Sequence, residues 1–537
     1  LSGRSPAEVM VEPRLEAGVL RWARDRLDGA PGYELSISGR GARITADSIT
    51  RNGTHSMRLR IRALTGEQPL HALPGLLSPD AGVDTRARNA LAFLSYREKF
   101  LAGSWRFDTY FGRDTLISAL LLAPVLEPPA IESALASVLD RLAPNGEVAH
   151  EEDIGEFAVL RNAREGRGRV PTPIYDYGMV DDDFLLAPLA ARWLIDDSRG
   201  RMRAVAFLAG FDANGTRGEM LARNLAWLAT RTAEFAREPV VHNLVGIKAG
   251  RKTGNWRDSE TGLGHGRYAY DVNAALVPAA LDAAARLNES GLLAKYLDEG
   301  KRAALTRAHE SARIWAARAP ALFDVEIPAE RAAEAISGYA RDIGVDAAPA
   351  LVALGKAPLG FHALSLDQAG QPVPILHSDE GFRWLLTDPP VPELSQGVAT
   401  LMRPFPAGLM TEAGLLVANP ALAREELRRE FSRFAYHGTV AWSWQQALMA
   451  AALERQLRRK DLPADVRTQL ASAQRDLWKV IAGTRALRTS ELWSWSFTDG
   501  RFRPEAFGRP GADADESNAA QLWSTVYLGL SPPTGAE

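Results

Sequence analysis

Four short segments of the sequence concentrate carboxylates, arginines and aromatic rings between runs of apolar residues. They lie at 103–115, 254–262, 436–444 and 503–527. Loops between helices often carry functional residues on a rigid scaffold. A carboxyl group beside an aromatic ring suits general acid–base chemistry, and an arginine paired with a carboxylate can make double hydrogen bonds to neighbouring hydroxyls. These segments are therefore the candidates for a catalytic or binding site.

The first segment runs directly into an apolar helix. Arg113 and Asp114 fall in the first turn of that helix, after Trp105, Tyr110 and Phe111. One interpretation is a capped helix start with a local ion pair. The other is a clamp for a hydroxylated ligand, in which the arginine and the carboxylate bind hydroxyls and the rings wall a pocket. The segment alone does not decide between them.

The second and third segments combine tryptophans with polar groups. Asp258 lies beside Trp256 in a loop that enters a helix, and carboxyls that are partly shielded from water serve as general acids. A simple Asx turn is the alternative. In the third segment, Trp444 fits the apolar stripe of the following helix, whereas His437 and Trp442 lie off it and are candidates for a pocket.

The fourth segment supplies a second carboxylate, Glu505. Glu491 and Glu516 are rivals, and spacing alone does not choose among the three. Two carboxylates from separate loops among aromatic rings suit cleavage of a glycosidic bond, with one protonating the leaving oxygen and the other activating water or attacking directly. No zinc motif, phosphate-binding loop, nucleophile elbow or dinucleotide fingerprint occurs, so we expect no metal and no cofactor.

The composition excludes several other classes of protein. The 537 residues carry a formal net charge of −3 and no basic run, so no nucleic-acid partner is expected. Without cysteine there are no disulfides and no thiolate metal sites. No apolar run reaches the roughly 18 residues that a membrane span requires. A start at Leu1 fits a cytoplasmic or an exported protein, with a preference for export; the oligomeric state stays open.

Two regions must position these segments. Residues 1–87 contain alternating runs at 33–39, 42–46 and 57–63, which predict a small region with short β-strands. Residues 88–537 carry helical apolar stripes without alternating strands, which predicts one large α domain. One exception lies near the end, where Asp499-Gly500 between two alternating aromatic runs predicts a hairpin.

Five motifs in the order of a known family resemble the glucosidase domain of glycogen debranching enzymes over about residues 88–535. More distantly, they resemble the glucoamylases, trehalases and processing α-glucosidases of the six-hairpin class. The motifs are Phe111-Gly-Arg-Asp-Thr, Val180-Asp-Asp-Asp-Phe, Trp256-Arg-Asp-Ser, Asp271-Val-Asn-Ala-Ala-Leu and Tyr436-His-Gly-Thr-Val-Ala-Trp-Ser-Trp. The acid-bearing loop and the Asp181–Asp183 run depart from the debranching pattern, which leaves glycogen itself in doubt as the substrate.

The resemblance implies a mostly α fold, an (α/α)6 toroidal barrel over 88–537. It also implies an inverting glycoside hydrolase, α-glucosidase-like and exo-acting on a glucoside or related oligosaccharide. Asp258 corresponds to the catalytic acid. Glu505, eighteen residues before Trp523, matches the position of the base better than Glu491 does. The expected substrate contacts are Trp105, Tyr110, Phe111, Arg113, Asp114, Trp256, His437, Trp442 and Glu491.

Two other functions remain compatible with the same fold. A non-catalytic sugar-binding barrel would keep the aromatic rings and the Arg113–Asp114 clamp without needing two converging carboxylates. A sugar epimerase or polysaccharide lyase would instead use histidine or tyrosine bases. His150, His265 and His437 are the candidates for that role.

Overall fold

The computed structural model describes residues 6–53, 56–104, 107–212, 214–508 and 520–533. Within these ranges the chain is mostly helical, with about 46% of residues in helices and several small sheets, as the sequence predicted. None of the described helices combines the length and the apolarity needed to cross a bilayer. The predicted substrate contact Trp105 and the rival base Glu516 lie outside the described residues.

Seventeen α-helices occur in the described ranges. They are α1 Thr85–Leu94, α2 Gly112–Leu122, α3 Pro128–Leu139, α4 Gly155–Arg164, α5 Asp182–Ala191, α6 Ser198–Ala209, α7 Arg217–Arg237, α8 Val277–Glu289, α9 Glu299–Leu305, α10 Ala308–Arg318, α11 Ala329–Ile343, α12 Ala348–Leu354, α13 Glu380–Leu386, α14 Val391–Leu401, α15 Glu425–Glu430, α16 Ser443–Leu457 and α17 Ala464–Gly483. A π-helical segment, Asp271–Leu276, runs into α8, and Trp523–Gly529 is a 3₁₀ helix.

The strands are short and form small sheets. They are β1 Arg14–Glu16, β2 Val19–Arg24, β3 Tyr33–Arg40, β4 Ala42–Ile44, β5 Ile49–Arg51, β6 Arg58–Leu64, β7 Glu151–Asp153, β8 Ile174–Asp176, β9 Phe211–Asp212, β10 Gly215–Thr216, β11 Tyr268–Ala269, β12 Asp324–Ile327, β13 Leu359–His362, β14 Ser365–Leu366, β15 Pro372–Val373, β16 Leu376–His377, β17 Met410–Thr411, β18 Gly414–Leu415, β19 Ala418–Asn419, β20 Ala441–Trp442, β21 Leu492–Thr498 and β22 Arg501–Ala506.

The chain divides into two compact units. The smaller contains the described part of Leu1–Leu70 together with Glu152–Tyr175, and the larger contains the described parts of His71–Glu151 and Asp176–Glu537. The domain boundary placed after residue 87 stays a prediction.

The smaller unit contains an antiparallel sheet in the order β1-β2-β3-β6. The turn between β1 and β2 has positive φ at both Ala17 and Gly18, the geometry of a type I′ hairpin turn. Ile37 lies opposite Leu20 on one side and Ile61 on the other, so the alternating apolar residues share one face. Within this unit Glu156, in the first turn of α4, accepts hydrogen bonds from the Arg24 guanidinium at 2.5 and 2.7 Å.

The larger unit has an inner layer of helices in which nearly every residue is buried. All residues of α2 and all residues of α5 are buried, as are all of Asp271–Leu276 and most of α8 and α16. A helix that is apolar all around must lie inside a domain. Amphipathic helices such as α7 and α17 bury one face only and cover this layer.

The inner helices contact one another in sequence. Helix α2 packs on α5, α5 packs on α8, and the segment that leads into α8 packs on α13. Helix α13 packs on α16, α16 contacts the 3₁₀ helix Trp523–Gly529, and that helix returns to α2. Six inner segments therefore form a closed series of neighbours.

The predicted hairpin near the end of the chain is confirmed. Strands β21 and β22 pair in antiparallel register, and Asp499 and Gly500 both have positive φ in the turn between them. This combination is the type I′ turn that Asp-Gly favours. Strand β21 also pairs with β20 just before α16, so the sheet order is β20-β21-β22.

Candidate active site

The candidate residues lie in segments that precede the inner helices. Arg113 and Asp114 begin α2, Asp181 precedes α5, and Asp258 lies in the loop before the π-helical segment that leads into α8. His437 and Trp442 come immediately before α16. Loops that lead into neighbouring helices thus supply side chains from distant parts of the sequence.

Gly112 allows the close approach of α2 to its surroundings. A Cβ atom at this position would lie 2.4 Å from the carbonyl oxygen of Ala149 and 2.8 Å from a carboxylate oxygen of Asp182. Neither neighbour leaves room for a side chain, because backbone and a buried carboxylate cannot give way. The glycine in the Gly-Arg-Asp-Thr motif is therefore a packing requirement of the site.

Arg113 is the electrostatic centre of the arrangement. It is almost fully buried and donates two hydrogen bonds to Asp181, from Nε at 2.7 Å and from Nη2 at 3.2 Å. Its remaining nitrogen, Nη1, donates to Oδ2 of Asp258 at 3.0 Å. A guanidinium fixed in this bidentate way has little freedom to reorient. Asp181 thus orients Arg113, and Arg113 in turn holds Asp258.

A cavity opens beside this network. Six of the predicted site residues line it, namely Phe111, Arg113, Asp114, Asp258, Trp442 and Glu491. The other described residues that line it are Ala102, Phe107, His150, Tyr436, Gln521 and Trp523. The cavity is therefore lined by three carboxyl groups from distant parts of the chain, by the Arg113 cation and by several aromatic rings.

Three predicted substrate contacts lie behind the cavity wall instead of lining it. Tyr110 is fully buried and its hydroxyl donates to the Ala149 carbonyl at 3.2 Å. Trp256 is 1% exposed and packs edge-on against Trp442 and His437. The third, His437, is 2% exposed, and its Nε2 lies 3.8 Å from Oδ1 of Asp258.

The structure separates the two rival bases, Glu491 and Glu505. The side chain of Glu491 is buried and lines the cavity, and its carbonyl accepts a hydrogen bond from the first amide of α16 at 2.9 Å. Glu505 instead lies on β22, the outer strand of the small sheet, where it is opposite Ser494 of β21. Its side chain is 51% exposed. Its nearest charged partner is Arg433, at 3.7 Å. The structure does not bring Glu505 to the cavity that contains Asp258.

The reason lies in the order of the strands. Strand β21 pairs with β20, which leads into α16, so its first residues lie beside the 436–444 segment. Strand β22 pairs only with β21 in this sheet and therefore lies one strand further out. A residue that precedes β21 thus reaches the cavity, whereas a residue on β22 does not.

Sequence reasoning did not assign several residues that the structure brings to the site. Phe107, Tyr436, Gln521 and Trp523 line the cavity and occur in or beside segments already rich in aromatic rings. Asp181 was noted only as part of the Val180-Asp-Asp-Asp-Phe motif, and its pairing with Arg113 was not predicted because the two lie 68 residues apart. Motif density could therefore have suggested the aromatic residues, but not the ion pair.

Burial shifts the protonation of two groups that line the cavity. Burial raises the pKa of Asp114 to about 7, although Arg113 and His150 favour its ionised form. Burial disfavours the charged form of His150, but the carboxylate of Asp182, 3.0 Å from Nδ1, outweighs this and raises its pKa. The cavity thus contains a carboxyl group that is partly protonated near neutral pH.

A buried ion pair supports the wall behind the cavity. Asp379 accepts two hydrogen bonds from the Arg257 guanidinium, at 3.0 and 2.8 Å, and both side chains are fully buried. Asp379 also accepts a hydrogen bond from the indole of Trp256 at 3.2 Å. This group anchors the two residues that come immediately before Asp258 in the chain. Its effect is to fix the backbone from which the Asp258 side chain projects.

No metal centre is visible in the part of the chain that the structure describes. Its histidine, aspartate and glutamate side chains form no group of three or more arranged to hold a metal ion.

Comparison with known proteins finds similarity among solved structures. No protein-family model matches the chain. No curated protein matches it either. A GH63 mannosylglycerate hydrolase from Thermus thermophilus, in complex with glucose, is 14% identical over 83% of this chain and 99% of that chain, with a TM-score of 0.47. An uncharacterized conserved protein from the same organism is 13% identical over 84% and 99%, with a TM-score of 0.46.

A third structure, the neutral trehalase from Saccharomyces cerevisiae, is 10% identical over 80% of this chain and 72% of that chain, with a TM-score of 0.30. The mannosylglycerate hydrolase and the trehalase belong to the six-hairpin class of glycosidases that the sequence motifs resemble.

Proposed function

We propose that this protein is a glycoside hydrolase in which Asp258 and Glu491 form the catalytic carboxylate pair. One observation carries the proposal. A single cavity is lined by these two carboxylates, by Arg113 and Asp114, and by aromatic rings. Two carboxylates that flank a bound sugar are what most glycosidases use to cleave a glycosidic bond. In this proposal Glu491 takes the role that the sequence motif suggested for Glu505.

The two carboxylates differ in their exposure to water. Asp258 keeps 30% of its side chain exposed, whereas that of Glu491 is buried. The family resemblance assigns the acid to Asp258, which protonates the leaving oxygen as the bond breaks. Glu491 then takes a proton from a water that attacks the opposite face of the sugar, which inverts the anomeric centre.

The remaining lining groups suit a terminal sugar ring. Arg113 is held rigidly by Asp181 and presents a fixed donor toward the cavity, while Asp114 offers a carboxyl that can donate or accept. Phe111, Trp442 and Trp523 provide apolar faces. The family resemblance implies exo action on one terminal residue. An α-linked glucoside or a related oligosaccharide is the substrate class we propose.

We further propose that the larger unit is an (α/α)6 toroid. The closed series of six inner helical segments supports this architecture, as do the amphipathic helices that cover them. In such a barrel the loops that precede the inner helices gather at one end. This arrangement accounts for the convergence of residues from 113 to 491 in one cavity.

The test is hydrolysis of a panel of α- and β-linked gluco-oligosaccharides, with the product anomer followed by NMR. We expect Asp258→Asn and Glu491→Gln each to lower kcat by about 10²–10⁴-fold. Glu505→Gln is the matched control, since it makes the same change on an exposed strand and is expected to retain turnover. Loss of activity in Glu505→Gln with retention in Glu491→Gln would reverse the assignment of the base.

A second candidate function, a sugar epimerase or polysaccharide lyase, is favoured by one observation. His150, one of the histidines that could act as its base, lines the cavity that contains Asp258. The same NMR experiment separates the two functions. Hydrolysis releases two saturated sugars, whereas a lyase leaves an unsaturated product and an epimerase changes a stereocentre without cleavage.

A further inference from the structure

A second cavity lies between strands β13 and β16 and helix α14. It shares no lining residue with the cavity that contains Asp258. The proposed hydrolysis does not use this cavity, so a ligand bound here would be independent of that function.

The lining of this cavity is predominantly acidic. It contains the carboxylates of Asp324, Glu380 and Glu393 and the imidazole of His362. Nδ1 of His362 contacts Glu380, and its Nε2 lies 3.3 Å from Oδ1 of Asp324. Burial opposes the charge on this imidazole, but Glu380 and Asp324 outweigh it and raise the pKa of His362 to about 9. One cation therefore faces three carboxylates.

The lining of this cavity also includes a residue with a buried hydrogen-bond donor. His377 is 1% exposed, and its Nδ1 accepts a hydrogen bond from the Asp379 amide at 3.2 Å. Burial lowers the pKa of His377, so the ring is neutral and its proton is on Nε2. That Nε2 has no hydrogen-bond partner among the described residues. A buried polar group left in this state destabilises the folded protein, and a ligand that accepts a hydrogen bond from it would relieve this cost.

The chemistry of these groups selects the ligand. It must accept a hydrogen bond from Nε2 of His377 and donate hydrogen bonds to the carboxylates. An ammonium group has no lone pair with which to accept. An anion would meet three carboxylates against two cations, which are His362 and the Arg383 that donates to Glu393 at 2.6 Å. A hydroxyl group both accepts and donates. We infer that this cavity is a binding site for a small polyhydroxy compound, a polyol or a monosaccharide.

The probe for the test is sorbitol, which has no glycosidic bond to cleave. Its binding to the full chain is titrated by saturation-transfer NMR. The blocking variant is Gln396→Trp, because Gln396 is exposed on α14 and lines the cavity. The matched control is Ala399→Trp, at an exposed position on the same helix that does not line the cavity. Comparison of these two variants separates this cavity from any binding of sorbitol elsewhere.

We expect saturable binding in the wild type and in Ala399→Trp, and loss of that binding component in Gln396→Trp. A second variant, His377→Phe, keeps a ring but removes the donor, and is expected to weaken binding about tenfold. Equal binding of sorbitol by Gln396→Trp and Ala399→Trp would overturn the proposal, as would the absence of saturable binding in the wild type. Displacement of sorbitol by methylammonium at equal concentration would show a cation site and overturn it as well.

Discussion

Replacing Asp114 by asparagine tests the electrostatics of the proposed active site. The pKa of this buried carboxyl is raised from an ordinary value of 3.8 to about 7, chiefly by burial. The pKa of this carboxyl is higher in the folded state than in the unfolded state. Its contribution to stability is therefore complete only below about pH 4, where the carboxyl is protonated in both states. That advantage is lost as the pH rises through 7, because the folded state must then hold a buried charge. The asparagine of the variant does not titrate, so the variant avoids this loss.

The magnitude follows from the shift. A shift of about three pKa units corresponds to about 4 kcal/mol, of which about 3 kcal/mol develops between pH 5 and pH 8. A chain of 537 residues has an unfolding entropy of about 1.1 kcal/mol/K. The melting temperature of Asp114→Asn, relative to the wild type, is therefore expected to rise by about 3 °C over this pH range.

The assay is differential scanning calorimetry of both proteins at half-unit steps from pH 5 to pH 8. The control is Asp461→Asn, because Asp461 is exposed and its pKa is lowered by a hydrogen bond from Arg459. The Asp461 carboxylate is ionised in the folded and the unfolded state throughout this pH range. The melting temperature of Asp461→Asn is therefore expected to differ from that of the wild type by a constant amount. If the difference in melting temperature between Asp114→Asn and the wild type stays constant or falls as the pH rises, the assignment of a raised pKa to Asp114 is refuted.

Two further predictions concern buried ion pairs in the larger unit. Asp379→Asn leaves the fully buried Arg257 guanidinium without its counter-charge and is expected to lower the free energy of unfolding by about 3–5 kcal/mol, measured by guanidinium titration. Glu425→Gln, at an exposed pair, is the control, expected to cost less than about 1 kcal/mol. His362→Asn removes an imidazole whose pKa rises from 6.5 to about 9. Its cost is expected to be about 3 kcal/mol below pH 6.5 and to vanish as the pH rises through 9; a cost independent of pH would contradict the ionised pairing with Glu380.

Local sequence patterns were sufficient to predict several elements, because interactions between residues close in the sequence determine these elements. The alternating runs at 33–39 and 57–63 became parts of β3 and β6, where one face of the sheet takes the apolar side chains. Asp499-Gly500 became a type I′ turn because both residues tolerate a positive φ. The apolar run from 112 to 122 became a helix that is buried on all sides. None of these outcomes needs information from a distant part of the chain.

The candidate site was only partly predictable, because its geometry depends on which side chains face inward. Phe111, Arg113, Asp114, Asp258 and Trp442 were identified from residue type and motif order, and they line one cavity. Other rings in the same motifs were assigned to substrate but lie behind the wall. A sequence motif names all of its residues alike. Helix periodicity and packing decide which of their side chains line a cavity and which lie behind its wall.

The sequence alone determined the kinds of groups present and the elements that carry them. Carboxylates, an arginine and aromatic rings occur in loops that enter apolar helices, and this pattern is readable without coordinates. Tertiary structure decided which groups meet. Arg113 is oriented by Asp181 and reaches Asp258, 145 residues away. Glu491 lines the cavity and Glu505 does not, because strand order puts β21 next to β20, which leads into α16, and β22 one strand further out. Strand order arises from long-range pairing, which no local spacing of residues encodes.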